Sequence, residues 1–306
     1  PYDSISNAKT FLEIVNPTKV FFIKYEFWVN YLNQIKQKDI EAYLISAVFK
    51  NHHPFFKWYG NVFIKSLTAF KILFVQDKNS EQLLRSISIT NVQICGDTRF
   101  DRVLEIKNKF KAIPEIEKFK GNCKLIIAGS TWPNDEDLIL ESFIKLNLPN
   151  VKLILVPHNI ETDLIKETES KLKKHNLHYS LFTGNINNEA PVLILNAMGL
   201  LSKTYYYADL AYIGGGLNEG LHNCLEAAVY GVPITFGGNE FAKYNEAIDL
   251  IKLNAAVNIN TADELLKAWS EFLTNEKITA TVSEKLKIYF ENNSNVTEKI
   301  LKNISF

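Results

Sequence analysis

Hydrophobic and polar positions follow two alternating patterns along this chain. Short runs of β-branched and aromatic residues, such as KVFFI at 19–23 and KLIIAG at 124–129, are separated by longer segments in which apolar residues recur at helical spacing. Strand-length runs that alternate with helix-length segments are typical of βα units and predict parallel sheets. The alternation occurs in two sets, which predicts an α/β protein with two Rossmann-like domains.

A charged stretch, VLEIKNKFKAIPEIEKFKGN at 103–122, separates the two sets and contains Pro114 and Gly121. Such a change of composition is typical of a domain boundary. We therefore predict a first domain over residues 1–117 and a second over residues 118–306, facing each other across a cleft. The last helices are expected to pack either on the second domain or back on the first.

Composition narrows the class of protein. The chain of 306 residues is 46% hydrophobic, which suffices for the cores of about two domains. The 34 basic residues balance the 34 acidic ones, so we expect no nucleic acid partner. No apolar run reaches the roughly eighteen residues of a membrane-spanning helix, and the three cysteines are widely spaced without a CxxC pair. We therefore expect the chain as given to be soluble, without a disulfide framework or a zinc site.

Three strands of the second set end in unusual polar segments. These segments are AGSTWPNDED at 128–137, VPHNIETD at 156–163 and GGGLNEGLHNCLE at 214–226. The carboxyl ends of parallel strands lie at one edge of a sheet, where the ligands of α/β proteins bind. We therefore predict that the three segments converge on one site.

The first two segments each allow two interpretations. Ser130 and Thr131 offer hydroxyls and backbone N–H groups that suit phosphate oxygens. The alternative is an ordinary helix N-cap, formed with Asn134 or Asp135. In the second segment, His158 directly follows a strand and is either a ligand contact or a surface residue near the start of a helix.

The third segment is the most informative. Its successive glycines, Gly214–Gly216, let the backbone approach a ligand closely, and Gly220 repeats this freedom. The segment lacks the G-K-[ST] of a phosphate loop and fits a dinucleotide fingerprint poorly. His222 and Glu226 are four residues apart, which predicts that they share one face of the following helix. There His222 would meet a phosphate and Glu226 the ribose hydroxyls of a nucleotide, unless the two form only an exposed polar pair.

The first domain offers two further candidates. Glu26 follows the strand KVFFI and lies beside Trp28. A carboxylate there suits proton transfer or contact with sugar hydroxyls, or simply the positive end of a helix. Arg99 belongs to the segment GDTRFDR, and its planar guanidinium suits a substrate carboxylate or phosphate. The alternative for Arg99 is a salt bridge with Asp97 or Asp101.

Four segments together resemble the 3-deoxy-D-manno-octulosonic acid (Kdo) transferases of lipopolysaccharide synthesis, which are glycosyltransferases of the two-domain GT-B fold. YEFWVN resembles the family's E-x-E-[LF]-W-P-N, with Lys24 at the first acid, Glu26 at the second and Val29 at the proline. CGDTRFD is similar to G-N-x-K-F-D, and AGSTWPNDED is similar to A-x-S-T-H-x-G-E-E. The stretch YYYADLAYIGGGLNEGLHNCLEAAVYGVPITFGG resembles Y-x-x-A-D-[VL]-A-[FY]-[VI]-G-G-S, G-G-H-N-x-L-E-P-A and G-x-P-[VI]-x-x-G-P, in that order.

The resemblance implies transfer of Kdo from CMP-Kdo to a lipid A precursor, with inversion and without a metal or other cofactor, at the cytoplasmic face of the bacterial inner membrane. It implies that the second domain binds the donor nucleotide through Ser130, Thr131, His158, Gly214, Gly215, Gly216, His222, Asn223 and Glu226. In the first domain, on the acceptor side, it implies that Arg99 binds a substrate carboxylate or phosphate. Glu26 would act there as an acid or contact the acceptor.

The sequence also departs from the family's pattern. The P-R-H motif appears as Pro157-His158-Asn159 without the arginine, and Ala227 replaces the proline after Glu226, which indicates a divergent branch. The family begins with a membrane-anchoring segment and an H-x-x-S-x-G-E motif, whose Glu is regarded as the catalytic base, and neither occurs in this sequence. We therefore expect an N-terminally truncated chain with an incomplete first domain, inactive on its own. Its membrane association would depend on the absent segment and on the acceptor.

Two alternatives remain open at this point. A nucleotide-sugar epimerase of the UDP-N-acetylglucosamine 2-epimerase type would have the same architecture, although GLHNCLEAA and GDTRFD disfavour it. A non-catalytic nucleotide-binding module would keep the site of the second domain without the base. Preference for a cytidine or a uridine nucleotide distinguishes the transferase from the epimerase.

Overall fold

The computed structural model describes residues 2–304, in which strands and helices alternate. The strands are β1 Lys19–Ile23, β2 Glu41–Ala47, β3 Phe70–Val75, β4 Val92–Ile94, β5 Lys124–Thr131, β6 Val151–Pro157, β7 Tyr179–Leu181, β8 Val192–Ile194, β9 Leu210–Ile213, β10 Ile234–Gly237 and β11 Ala256–Ile259. The helices are α1 Ile5–Val15, α2 Val29–Gln37, α3 Asn61–Leu67, α4 Lys78–Ser86, α5 Arg99–Asn108, α6 Pro114–Lys120, α7 Pro133–Leu146, α8 Thr162–Lys174, α9 Leu201–Thr204, α10 Leu225–Ala228, α11 Asn245–Lys252, α12 Ala262–Thr274, α13 Glu276–Asn293 and α14 Val296–Leu301. Short 3-10 turns occur at Pro54–Phe56, Tyr205–Tyr207 and Glu240–Lys243.

The chain divides into two compact units at a different point from the predicted boundary after residue 117. One unit consists of the residues up to Asp101 together with those from Asn293 onward, and the other consists of Arg102–Asn292. The division therefore falls inside α5, and the whole of the charged stretch at 103–122 belongs to the second unit. The final helix, α14, belongs to the first unit.

Hydrogen bonds explain why the charged stretch folds with the second unit. The backbone N–H of Ile113, just before α6, donates to the hydroxyl of Tyr207 over 2.7 Å. At the other end of α6, the Lys120 ammonium lies 2.7 Å from Asp209 Oδ2. Composition suggested a connector, but these side chains anchor α6 to the segment before β9.

The first unit is built on a four-stranded parallel sheet in the order β1-β2-β3-β4. Strands β2 and β3 lie at its centre, which explains why the apolar residues of β2 are almost all buried. Helices α1 to α4 supply the apolar side chains that cover the sheet. The buried core includes Leu12, Leu32, Leu44, Phe49, Leu67, Leu73 and Leu84.

Helix α14 completes the first unit from the other end of the chain. Its Val296 and Ile300 pack in a small cluster with Tyr43 of β2 and Phe74 of β3. The carboxylate of Asp101 accepts the backbone N–H of Val296 over 3.3 Å and that of the next residue over 2.6 Å. The first N–H groups of a helix have no acceptor within the helix, and Asp101 supplies one for α14. Helix α14 is therefore held in place by its buried side chains and by this capping carboxylate.

The second unit contains a seven-stranded parallel sheet in the order β11-β10-β9-β5-β6-β8-β7. Strand β5 is central, and Ile127 on it pairs with Ala211 of β9 on one side and Ile154 of β6 on the other. The carboxyl ends of β5, β6 and β9 are therefore neighbours, which brings the three polar segments to one edge. The prediction of two parallel α/β sheets is confirmed. Within residues 2–304, no helix is both long enough and apolar enough to cross a bilayer.

Candidate functional site

The glycine turn Gly214–Gly216 follows β9 and is tightly enclosed by neighbouring backbone. A Cβ atom on Gly214 would lie 2.2 Å from the carbonyl oxygen of Ser130, and one on Gly216 would lie 2.1 Å from that of Gly237. Real side chains do not tolerate such distances, so glycine is required where the ends of β5 and β10 meet this turn. The close packing of backbone at this edge of the sheet therefore requires glycine in the turn, whether or not a ligand binds there.

Two amides of the turn are already used by the protein. Gly214 N–H donates to the carbonyl of Gly129 over 2.9 Å, and Gly215 N–H donates to Asp135 Oδ2 over 2.8 Å. Among the described residues, no acceptor is recorded for the N–H of Gly216. The turn therefore cannot offer the N–H groups of Gly214 and Gly215 to an anion without breaking these hydrogen bonds.

Asp135 on α7 connects the helix to the glycine turn. Besides Gly215 N–H, its carboxylate accepts the backbone N–H of Trp132 over 3.0 Å and the hydroxyl of Tyr212 over 2.7 Å. Burial raises the pKa of Asp135, and the three hydrogen-bond donors only partly offset this rise. Asp135 was predicted only as a possible N-cap, but its carboxylate is the common acceptor that holds β9, the turn and α7 together.

The prediction that His222 and Glu226 share one face of a helix is wrong. Helix α10 begins only at Leu225, and His222 lies in the preceding loop, where its backbone N–H donates to the carbonyl of Gly214. The side chain of Asn223 accepts the backbone N–H of Leu225 over 3.3 Å. Asparagine in this role competes with the helix and delays its start, which sequence spacing alone does not reveal.

Three aromatic rings form a compact group at the ends of β5, β6 and β9. The indole Nε1 of Trp132 lies 3.3 Å from His222 Nε2. The His158 ring stacks on Trp132, with centroids 4.6 Å apart and an interplanar angle of 18°, and on His222, with centroids 4.6 Å apart and an angle of 29°. Burial and the neighbouring His158 lower the pKa of His222. The structure thus brings two predicted residues together through Trp132, which sequence analysis did not select.

Glu226 is a half-buried carboxylate at the start of α10. Its Oε1 accepts from the side-chain amide of Asn223 over 3.3 Å. Burial raises the pKa of Glu226, and the amide of Asn223 only partly offsets this effect. A carboxylate oriented by one amide can still accept further hydrogen bonds from hydroxyl groups.

Two cavities adjoin the ring group. The larger, of about 260 Å³, lies between the N-terminus of α7 and the loop after β9, and its lining residues include Asp135, Gly215, Leu217, Asn218 and Glu219. The smaller, of about 110 Å³, is lined by residues that include Thr131, Glu136, His158 and Thr168. Trp132 and Pro133 border both cavities. Three predicted residues, Thr131, His158 and Gly215, therefore line open space.

Glu136 is a second acid on α7 that sequence analysis did not select. It is 3% exposed, and its carboxylate accepts the hydroxyl of Thr168 over 3.0 Å and that of Thr131 over 3.4 Å. Burial raises the pKa of Glu136 to about 7, although Lys171 Nζ, at 3.7 Å, opposes the rise. The hydroxyl of Thr131 is therefore already engaged inside the protein. Ser130 next to it has a positive φ of 54° at an irregularity in β5.

The two candidates of the first unit have different surroundings. Glu26 is exposed and accepts a short hydrogen bond from the indole N–H of Trp28. Arg99 makes the ion pair with Asp97 that was the alternative to a ligand role: NH2 lies 2.7 Å and Nε 2.8 Å from Oδ2. Burial raises the pKa of Asp97, but Arg99 and Lys24 outweigh burial, so the net pKa is lowered. Substrate roles for Glu26 and Arg99 stay predictions.

Solved structures show which fold the two units adopt. A solved UDP-N-acetylglucosamine 2-epimerase aligns with 97% of this chain and 75% of its own, with a TM-score of 0.66 at 12% identity. The C-terminal CMP-Kdo binding domain of WaaA from Acinetobacter baumannii aligns with 62% of this chain and 96% of its own, with a TM-score of 0.51 at 22% identity. At these identities the likeness shows the fold alone, which is the GT-B type of glycosyltransferases and related epimerases.

Sequence comparison finds Kdo transferases among the relatives of this chain. Residues 1–102 match the family model described as 3-deoxy-D-manno-octulosonic-acid transferase (kdotransferase). A 3-deoxy-D-manno-octulosonic acid transferase of Rickettsia typhi is 27% identical over 95% of this chain and 62% of its own length. A bifunctional glycosyltransferase/methyltransferase of Fusobacterium nucleatum is 26% identical over 98% of this chain and 48% of its own length. The chain is thus similar to Kdo transferases over most of its length, and it spans about half to just under two thirds of the length of these relatives.

Proposed function

We propose that this chain is part of an enzyme that transfers Kdo from CMP-Kdo to a lipid A precursor, with inversion and without a metal. The observation that carries the proposal is the convergence of the Gly214–Gly216 turn, His222 and Glu226 at one sheet edge in a chain whose sequence relatives are Kdo transferases. The lipid acceptor leads us to propose the cytoplasmic face of the bacterial inner membrane as the place of reaction.

We propose that the donor phosphate binds in the larger cavity. This cavity lies at the N-terminus of α7, a helix of 14 residues whose positive end favours an anion. Gly216 follows Gly215, which lines this cavity, and the His222 ring lies beside Gly215, so we propose both as hydrogen-bond donors to the phosphate. Glu226 accepts the ribose hydroxyls, with Asn223 holding its carboxylate in place.

The proposed reaction requires the donor site to stabilise the leaving group. The bond between the anomeric carbon of Kdo and the CMP phosphate oxygen breaks, a bond to the acceptor hydroxyl oxygen forms, and the hydroxyl proton passes to a base. Negative charge develops on the departing CMP phosphate. Fixed N–H donors and a helix N-terminus stabilise that charge more in the transition state than in the ground state, which is the basis of the rate enhancement.

Titration calorimetry of the chain with CMP, UMP and UDP tests the proposal. We expect saturable binding of CMP, weaker binding of UMP and UDP, and a loss of about tenfold in CMP affinity in Glu226→Gln, the cost of a weakened hydrogen bond to a charged group. Glu189→Gln, an exposed acid of the same unit, is the matched control and should bind CMP like the parent chain.

The other outcomes are equally informative. Silence with all three nucleotides would contradict the proposed donor site, and preference for UDP would favour the epimerase. CMP binding by a full-length gene product that transfers no Kdo would identify a nucleotide-binding module instead.

A further inference from the structure

We propose that Trp132 is a positioning residue that fixes His222 as the neutral imidazole tautomer with its proton on Nδ1, ready to donate to a ligand in the adjacent site. The inference that the ligand is the donor phosphate rests on the proposed function. The assignment of the tautomer rests on the contacts of His222 within this chain and holds without any ligand.

The hydrogen bond between the two side chains determines the tautomer. Trp132 Nε1 lies 3.3 Å from His222 Nε2. An indole N–H can only donate, so His222 Nε2 must present its lone pair as the acceptor. The single ring proton of a neutral imidazole is then on Nδ1. A cationic His222 would place two N–H groups against each other and lose this bond.

Packing fixes the plane of the His222 ring, and the hydrogen bond from Trp132 then selects one of its two orientations. His158 covers both Trp132 and His222 with nearly parallel rings, each centroid pair 4.6 Å apart. On the Gly215 side, a Cβ atom would lie 2.8 Å from His222 Cδ2 and 3.2 Å from Nε2, so this edge of the ring fills the space that glycine leaves. A half-turn of the ring about its Cβ–Cγ bond would present Cε1 to the indole N–H and break the hydrogen bond.

The surroundings also disfavour a charged ring. Burial lowers the pKa of His222, and so does the neighbouring His158. The carboxylate of Asp135, which reaches the adjoining turn, is engaged by Tyr212, Trp132 and Gly215. His222 therefore donates a hydrogen bond as a neutral ring. It would bind a phosphate through a directional hydrogen bond and not through an ion pair.

Nitrogen NMR of the histidine side chains tests the assignment without any nucleotide. In the parent chain near neutral pH, His222 should show a protonated Nδ1 and an unprotonated Nε2. Trp132→Phe keeps an aromatic ring for His158 to stack on but removes the donor, so the preference for the Nδ1–H form should be lost. Trp58→Phe, which removes an indole N–H at a side chain that is 93% exposed, is the matched control and should leave His222 unchanged.

Calorimetry with CMP then tests the link to the ligand. Trp132→Phe should weaken CMP binding by about tenfold, as expected for one misdirected hydrogen bond to a charged group, and Trp58→Phe should not. An Nε2–H or cationic His222 in the parent chain would overturn the proposal, and that spectrum decides even if Trp132→Phe fails to fold. A correct tautomer with no CMP binding by the parent chain would refute the proposed function and leave the role of Trp132 in fixing the ring standing.

Discussion

Replacing Glu136 with glutamine should stabilise the protein at alkaline pH. The Glu136 carboxyl is 3% exposed and hydrogen-bonded to the hydroxyl of Thr168, with Lys171 Nζ 3.7 Å away. Lys171 also lies 3.0 Å from Asp137, so it keeps a partner when Glu136 loses its charge. Glutamine has the shape of a protonated glutamate and can keep the contact with Thr168 at every pH.

The magnitude follows from the pKa of Glu136, which burial raises from 4.5 to about 7 in the folded chain. Because the folded pKa is raised, the folded state favours the protonated carboxyl. The stability that this group contributes is present below pH 4.5 and is lost as pH rises through about 7. Each pKa unit corresponds to about 1.36 kcal/mol. The buried carboxylate therefore lowers the free energy of unfolding by roughly 3 kcal/mol at pH 8, and by less than about 1 kcal/mol at pH 5.

Urea unfolding at pH 5 and pH 8 measures this difference. Glu136→Gln should raise the free energy of unfolding by roughly 3 kcal/mol at pH 8 and by below about 1 kcal/mol at pH 5. Glu141→Gln, on the same helix with a side chain 54% exposed, should change little at either pH. An equal effect at both pH values, or a loss of stability at pH 8, would refute the reasoning and show that Lys171 keeps Glu136 charged.

Two further substitutions test the glycine turn and its anchor. Gly215→Ala would place a Cβ atom 2.4 Å from the carbonyl oxygen of Gly220 at a residue with a left-handed φ of 85°. We therefore expect calorimetry to show a loss of CMP binding, and thermal unfolding to show a lower midpoint temperature. Gly199→Ala has a φ of 75° and open space around its Cβ, so an equal fall in midpoint there would argue against crowding as the cause. Asp135→Ala leaves the Tyr212 hydroxyl and a buried amide without their acceptor and should cost roughly 3–5 kcal/mol in urea unfolding; a cost below about 1 kcal/mol would contradict this.

The fold was largely predictable because burial imposes a pattern on the sequence. The run KVFFI coincides with β1, Lys19–Ile23, and KLIIAGS falls within β5. Strands β4 and β7 have three residues each, too few for a period to show, and no prediction included β7. The domain boundary was missed because Lys120 and its neighbours find partners far along the chain, which composition does not reveal.

The site was predictable only where topology decides it. Parallel strands deliver their carboxyl ends to one edge, so the convergence of the segments that carry Ser130, His158 and Gly214 could be predicted before any coordinates. Asp135 and Trp132 were missed as site residues because their partners lie 80 and 90 residues away along the chain. The sequence around them suggests only a helix-capping acid at Asp135 and an apolar ring at Trp132. Their contacts with Gly215 and His222 appear only in the tertiary structure.

A crystal structure of the chain with CMP would show whether the second unit binds a cytidine nucleotide at the Gly214–Gly216 turn. We expect the phosphate in the cavity between the N-terminus of α7 and the loop after β9, with the Nδ1 of His222 within hydrogen-bonding distance and the ribose hydroxyls at Glu226. CMP bound at another place, or a ribose turned away from Glu226, would refute the proposed donor site.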